Sequence, residues 1–231
     1  RQENRLNPGG RGCKAIKPMQ HITLSGVCPE VFRDQALQSE VWRTELTLRR
    51  GERYLIEASS GAGKSSLCSY LYGWRGDYEG TIAFDGEELR TFKASHWTEL
   101  RQHSLSFLVQ DMRLFEELTA WENVQLKNQL TGYHSPERIR ELFALLGIED
   151  KLHSPARLLS LGQQQRVALI RCLCQPYDFL LLDEPISHLD EANALTLASL
   201  ITEEADQQGA GIIVTSVGKQ LPLDYDQTLR L

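Results

Sequence analysis

Apolar and polar positions alternate with the period of a strand over residues 20–27, and again over Val41-Trp42-Arg43-Thr44-Glu45-Leu46-Thr47-Leu48. Arg50-Gly51-Glu52 reads as a turn and Tyr54-Leu55-Ile56-Glu57-Ala58 as a buried strand, with a helix expected from Lys64 to about Tyr72. Gly80-Thr81-Ile82-Ala83-Phe84-Asp85-Gly86 predicts a strand closed by an Asp-Gly turn, and residues 104–109 predict another ending at Gln110. From 111 to 158 the period lengthens to that of a helix. Ser135-Pro136 opens one helix with a cap and a first-turn proline, and Ile139, Leu142, Phe143 and Leu146 then share a face. Beyond this stretch the pattern predicts a helix from about Gly162, a strand over 179–183, a helix over 190–206 and a strand over 211–215. Strands separated by helices imply an α/β fold whose mainly parallel sheet is covered on both faces. The all-helical stretch reads as a lobe inserted into it.

Length and composition narrow the choice. At 231 residues, with 41% hydrophobic and 24% charged residues, the chain suits one substantial domain. Residues 19–231 are expected to form it, with the helical lobe at about 111–158. Residues 1–18 read as a flexible leader or as translated upstream sequence, with Met19 a candidate start. Net charge is −6, and Arg1, Arg5, Arg11, Lys14 and Lys17 all fall in that leader, so the body is more acidic still. An acidic body argues against a nucleic-acid partner. No apolar run approaches the roughly 18–20 residues of a membrane span. Cys13, Cys28, Cys68, Cys172 and Cys174 show neither a disulfide framework nor a metal-ligand spacing, and read as small buried residues of a reducing compartment.

Three segments carry chemistry. Ser59-Ser60-Gly61-Ala62-Gly63-Lys64-Ser65-Ser66 has the glycines, lysine and serine of a phosphate loop, with Ala58 where the pattern has its first glycine. Glycines let backbone N–H groups turn inward onto phosphate oxygens, and the helix N-terminus adds its dipole. Lys64 would reach the β- and γ-phosphates and Ser65 would ligand Mg²⁺. The plainer alternative is a Gly/Ser-rich turn between strand and helix. Asp183 follows the apolar run Phe179-Leu180-Leu181-Leu182 and should emerge at a strand's carboxyl end, where α/β folds place ligands. There Asp183 could hold Mg²⁺ and Glu184 could serve as general base, or both could simply end the strand as solvated charges.

With Leu159-Ser160-Leu161-Gly162-Gln163-Gln164-Gln165-Arg166-Val167-Ala168 between those segments, Gln110 after a strand, and Ser187-His188-Leu189-Asp190 after the carboxylates, the sequence resembles the nucleotide-binding domains of ATP-binding cassette (ABC) transporters. The resemblance covers residues from about 19 to 231. The stretch Leu114–Val124 looks like the lipoprotein-release and cell-division branch of these ATPases. It implies a P-loop NTPase core with a mainly parallel sheet, an N-terminal antiparallel β part and the inserted helical lobe. Two such domains, as homodimer or heterodimer, would sandwich ATP and Mg²⁺. Each would pair its Lys64 loop with the other's Ser160, Gly162 and Gln163, which face the γ-phosphate. Gln110 would sense Mg²⁺ and the attacking water. Asp190 would form the dimer-contact loop, though it also suits a helix cap. A separate transmembrane permease, docking on the lobe, would keep the chain peripheral on the cytoplasmic face.

Departures from the family pattern matter too. Leu161 replaces a glycine of the signature, and His188 replaces a small residue. Ser216 stands where a switch histidine is expected, after Gly211-Ile212-Ile213-Val214-Thr215. A serine hydroxyl can bond a phosphate oxygen but carries no positive charge. Slow ATP turnover is therefore expected, and a Ser216→His variant should hydrolyse faster. The alternative function is a nucleotide-gated regulatory cassette with little hydrolysis. Phe32 is the aromatic candidate for adenine contact, equally suited to packing. The four tryptophans read as packing anchors, and Glu203-Glu204 as a solvated helix end.

Overall fold

The computed structural model describes residues 17–231. The leader expected over residues 1–18 lies, apart from its last two residues, outside them. In chain order the elements are β1 (His21–Pro29), β2 (Glu45–Arg49), β3 (Arg53–Glu57), α1 (Lys64–Leu71), β4 (Tyr78–Phe84) and β5 (Glu87–Glu88). There follow α2 (Ala94–His103), β6 (Leu105–Leu108), α3 (Ala120–Asn128), α4 (Pro136–Leu145), α5 (Leu161–Leu173), β7 (Phe179–Asp183), α6 (Glu191–Gln208), β8 (Gly211–Ser216) and β9 (Gln227–Arg230).

The strands form two sheets. One is antiparallel, in the order β2-β1-β4-β5, and the other is parallel, in the order β6-β7-β8-β3-β9. The Asp85-Gly86 turn has both residues at positive φ, the conformation a two-residue hairpin needs. One apolar core lies between the sheets, with Ile22, Leu24, Tyr54, Leu67, Phe179 and Ile213 fully buried. The second joins the parallel sheet to the helices through residues such as Ile139, Phe143, Leu169, Leu182 and Leu200. The four residues expected to share a face of α4 all fall in this core.

Two differences from the sequence pattern have local causes. Val41–Thr44 is a turn rather than the start of a strand. Ser39 Oγ accepts the N–H groups of Val41 and Trp42 there, and Arg43 takes φ +61. The helix α2 has no side-chain cap, and β9 is an edge strand of mostly exposed residues, so neither carries a strong sequence signal. No helix among the described residues is long and apolar enough to cross a membrane.

Candidate functional site

The strand β3 delivers the chain directly into the Gly-rich loop. Gly61 and Gly63 hold φ of +84 and +98, a region where a side chain would strain the backbone. No side chain caps α1, so its first-turn N–H groups face the loop without a side-chain acceptor. Lys64 is only 6% exposed and its Nζ donates to the Ser59 carbonyl at 3.3 Å. Ser59, Ser60 and Ser65 are exposed, Ala62 is half-buried, and Ser66 accepts a bond from Arg75 at 2.8 Å. The loop is held from beneath by Trp42, whose indole N–H donates to the Ala62 carbonyl at 3.1 Å. A Cβ on Gly63 would lie 3.1 Å from the Phe32 ring and 3.2 Å from Trp42. Phe32 thus packs under the loop.

Neighbouring strands in the sheet bring the second set of residues to the same edge. Asp183 ends β7, 3% exposed, and accepts the Thr215 hydroxyl at 2.5 Å. Glu184 follows at φ +49, a strained conformation for a non-glycine residue, with its N–H donated to the Thr215 carbonyl at 3.1 Å. Its carboxylate stands 3.8 Å from Lys64 Nζ. Ser216 ends β8 between them, and its carbonyl accepts the Ala58 N–H at 3.2 Å. The Ser216 hydroxyl, buried, donates to the Lys219 carbonyl at 2.5 Å and is engaged within its own turn. In β6, Leu108 registers with Leu182, so Gln110, two residues on and exposed, reaches the same edge.

The Ser160 segment lies on another face of the same chain. Ser160 and Gln163 form a reciprocal cap at the start of α5: the Ser160 hydroxyl accepts the Gln163 N–H and the Gln163 side chain accepts the Ser160 N–H. A cavity of about 460 Å³ opens there, lined by Ser160, Leu161, Gly162, His188 and Asp190, among others, and by no residue of the phosphate loop. A Cβ on Gly162 would lie 2.9 Å from the His188 carbonyl oxygen, which explains the glycine. Leu161, 54% exposed, projects outward. Asp190 caps α6, and the Asn193 N–H, aided by its side-chain amide, holds the Asp190 carboxyl below its ordinary range.

Sequence reasoning missed the residues that brace these loops. Gln165, buried, donates to the Glu184 carbonyl at 3.2 Å while accepting the His188 N–H at 3.2 Å, so it clamps residues 184–188. It sits inside the signature run, yet nothing in the spacing distinguishes it from Gln164. Arg171 donates to the carbonyls of Met112 and Arg113, both at positive φ, and so holds the loop beyond Gln110. Nearby, Tyr72, Trp74, Phe107, Arg113, Lys127 and Arg171 line a cleft of about 190 Å³ between β6 and the helices. Burial lowers the Lys127 ammonium and the Arg171 guanidinium from their ordinary values. Trp74, expected as a packing anchor, is 41% exposed in this cleft with Arg113 stacked over it at 4.4 Å.

The donor set suits a magnesium nucleotide. Ser65, Asp183 and Gln110 offer hard oxygen ligands. Among the described residues no cluster of His, Cys, Asp and Glu could hold a metal by itself. Mg²⁺ completes its shell with phosphates and water, which this sparse set accommodates.

Over residues 42–187 the sequence matches the family described as ABC transporter. It is 32% identical over 207 residues to the lipoprotein-releasing system ATP-binding protein LolD of Shewanella denitrificans, across 87% of this chain and 88% of that protein. It is also 34% identical over 191 residues to the uncharacterized ABC transporter ATP-binding protein YbbA of Escherichia coli (strain K12), across 81% and 83%. Among solved structures, the dimeric form of MJ0796, a bacterial ABC transporter cassette, matches with a TM-score of 0.73 at 26% identity, over 84% of this chain and 87% of that one. A dimeric post-hydrolysis state of the same cassette, bound to ADP and Pi, matches with a TM-score of 0.72 at 25% identity, over 86% and 88%. Motif order, a sheet edge gathering Lys64, Asp183 and Glu184, and these likenesses agree: the chain belongs to the ABC transporter family, as one of its ATP-binding cassettes.

Proposed function

We propose that the convergence at the carboxyl ends of β3, β7 and β8 is one half of an ATP-hydrolysing site completed by a second cassette. The observation that carries this reading is the 3.8 Å approach of Glu184 to Lys64 across the gap between the phosphate loop and β7. The loop amides from Ser60 to Ser66, with the Lys64 ammonium, bind the phosphates. Ser65, Gln110 and Asp183 would hold Mg²⁺, which neutralises phosphate charge when bound. Glu184 takes the proton of the water that attacks the γ-phosphorus as the bond to the β–γ bridging oxygen breaks and ADP leaves with that oxygen, and Lys64 stabilises the negative charge that develops. Ser160, Gly162 and Gln163 of the opposing cassette close the site, which is consistent with their place on a face remote from their own loop. Ser216 lines the β8 side.

The permease this ATPase powers is of the lipoprotein-releasing type, a reading supported by the likeness to LolD. Its cytoplasmic segment occupies the Trp74–Lys127 cleft, and the chain is peripheral to the membrane through that contact. A cationic, aromatic cleft on a chain of net charge −6 favours an acidic helical segment with an apolar face. Residues 19–231 act as one domain, with the helical lobe as its partner-facing part.

Mg²⁺-dependent phosphate release from ATP, measured beside a Glu184→Gln variant, tests the reading. Release abolished in the variant with ATP binding retained is the expected result. Equal release from both would assign hydrolysis to something other than Glu184, and absent release with binding intact would favour the regulatory alternative.

A further inference from the structure

The turn after β8 is tied to both sides of the site. The Lys219 N–H donates to the Val217 carbonyl at 2.8 Å around Gly218, at φ +74, which makes a γ-turn. The Ser216 hydroxyl bonds the Lys219 carbonyl and closes the turn on itself. Two consecutive side chains then leave it. Gln220 donates its amide to the Glu57 carboxylate at the end of β3, the strand that feeds the phosphate loop. The Lys219 ammonium donates to the Leu189 carbonyl at 2.6 Å, beyond the end of β7. Since β8 lies between β7 and β3 in the sheet, the turn bridges the two strands that carry the site.

Leu189 belongs to the segment 187–190, whose His188 carbonyl leaves no room for a side chain at Gly162 and whose Asp190 caps α6. Gln165 grips this segment at His188 and ties it to Glu184 ahead of it. Lys219 grips its rear. The family pattern leads one to expect a cation at position 216, and this chain instead carries one three residues later, already bonded to the segment bordering the Ser160 cavity.

We infer that Lys219 is a positioning residue for hydrolysis: its ammonium, bonded to the Leu189 carbonyl, holds segment 187–190 in register with the nucleotide-facing end of β8. This assignment rests on the ATP-hydrolysis reading above. It gives the chain a mechanical link at the place where the histidine is missing.

The test is a Lys219→Met variant, which keeps the apolar stem and removes the donors, beside Lys219→Arg, Glu184→Gln and the parent. Steady-state phosphate release, ATP affinity and thermal midpoint are measured for each. The expected result is a kcat about 10- to 100-fold lower in Lys219→Met, as for a displaced catalytic loop. KM should stay within about twofold, the signature of a group acting in the transition state. The thermal midpoint should not move, and Lys219→Arg should recover most of the lost rate. Parent-like turnover in Lys219→Met overturns the assignment. So does a loss shared equally by kcat, ATP affinity and thermal midpoint, or a failure of arginine to rescue. If the parent itself shows no release sensitive to Glu184→Gln, the hydrolysis reading fails and this assignment falls with it. If the parent is active and Lys219→Met equals it, only the role of Lys219 fails.

Discussion

A single hydrogen bond from Trp42 to the Ala62 carbonyl braces the phosphate loop from outside the motif. Trp42→Phe keeps an aromatic ring in the site but removes the donor to that carbonyl, at a cost of about 1 kcal/mol for the hydrogen bond alone. If the cost falls on loop order, ATP affinity drops roughly fivefold, measurable by equilibrium titration with a fluorescent nucleotide. Gly162 gives a prediction of the opposite kind, since adding atoms should do the damage. Gly162→Val places a Cβ against the His188 carbonyl, and overpacking of that kind should lower the thermal midpoint by roughly 3–10 °C in calorimetry. The glycines, lysine and serine of the phosphate loop were legible from spacing because the chemistry demands adjacent residues. Trp42, Gln165 and Lys219 were not, because each acts on backbone that the chain brings close only after folding.

At the level of elements, long periodic helices and apolar strands announced themselves, whereas α2 and β9 lack both caps and strong alternation. The Glu203-Glu204 pair shows how an element's end can mislead. Glu203 is exposed, but Glu204 is 1% exposed and accepts Arg138 of α4 at 2.7 Å, with His134 at 3.5 Å. Those partners lie over 60 residues away in sequence, so only the packing of α4 on α6 reveals them. Burial pushes the Glu204 carboxyl up, but the His134 imidazole at 3.5 Å and the hydrogen-bonded Arg138 guanidinium outweigh it and leave it below its ordinary value. A carboxylate lowered on folding stabilises the fold fully above its unfolded value, about 4.3, and loses that contribution as pH falls through the folded value. Arg138→Met should therefore cost roughly 1.5–3 kcal/mol at neutral pH and flatten the acid limb of stability, seen in denaturant midpoints between pH 3 and pH 7.

Taken whole, the molecule presents two candidate surfaces, the proposed half-site with its Ser160 counterpart and the cationic cleft. Arg113→Glu reverses a charge that stacks on Trp74 in the cleft. The ratio of permease-stimulated to basal phosphate release should fall, and an unchanged ratio would put the partner elsewhere. The two surfaces are joined by α5, which Ser160 caps beside the cavity lined by Gly162 and His188, and which near its other end carries Arg171, gripping the Met112 and Arg113 carbonyls. Thirteen residues of α-helix make an arm about 20 Å long. Tilting such an arm by about 10° about one end swings the other by about 3 Å, the length of a hydrogen bond. The helix is then a lever: under the proposed closure of a second cassette onto Ser160, such a swing would pull Arg171 off the Met112 and Arg113 carbonyls and release their left-handed backbone beside the cleft. Arg171→Met cuts the rope at its far end, and should leave the cassette hydrolysing ATP in solution while no longer answering to its membrane partner.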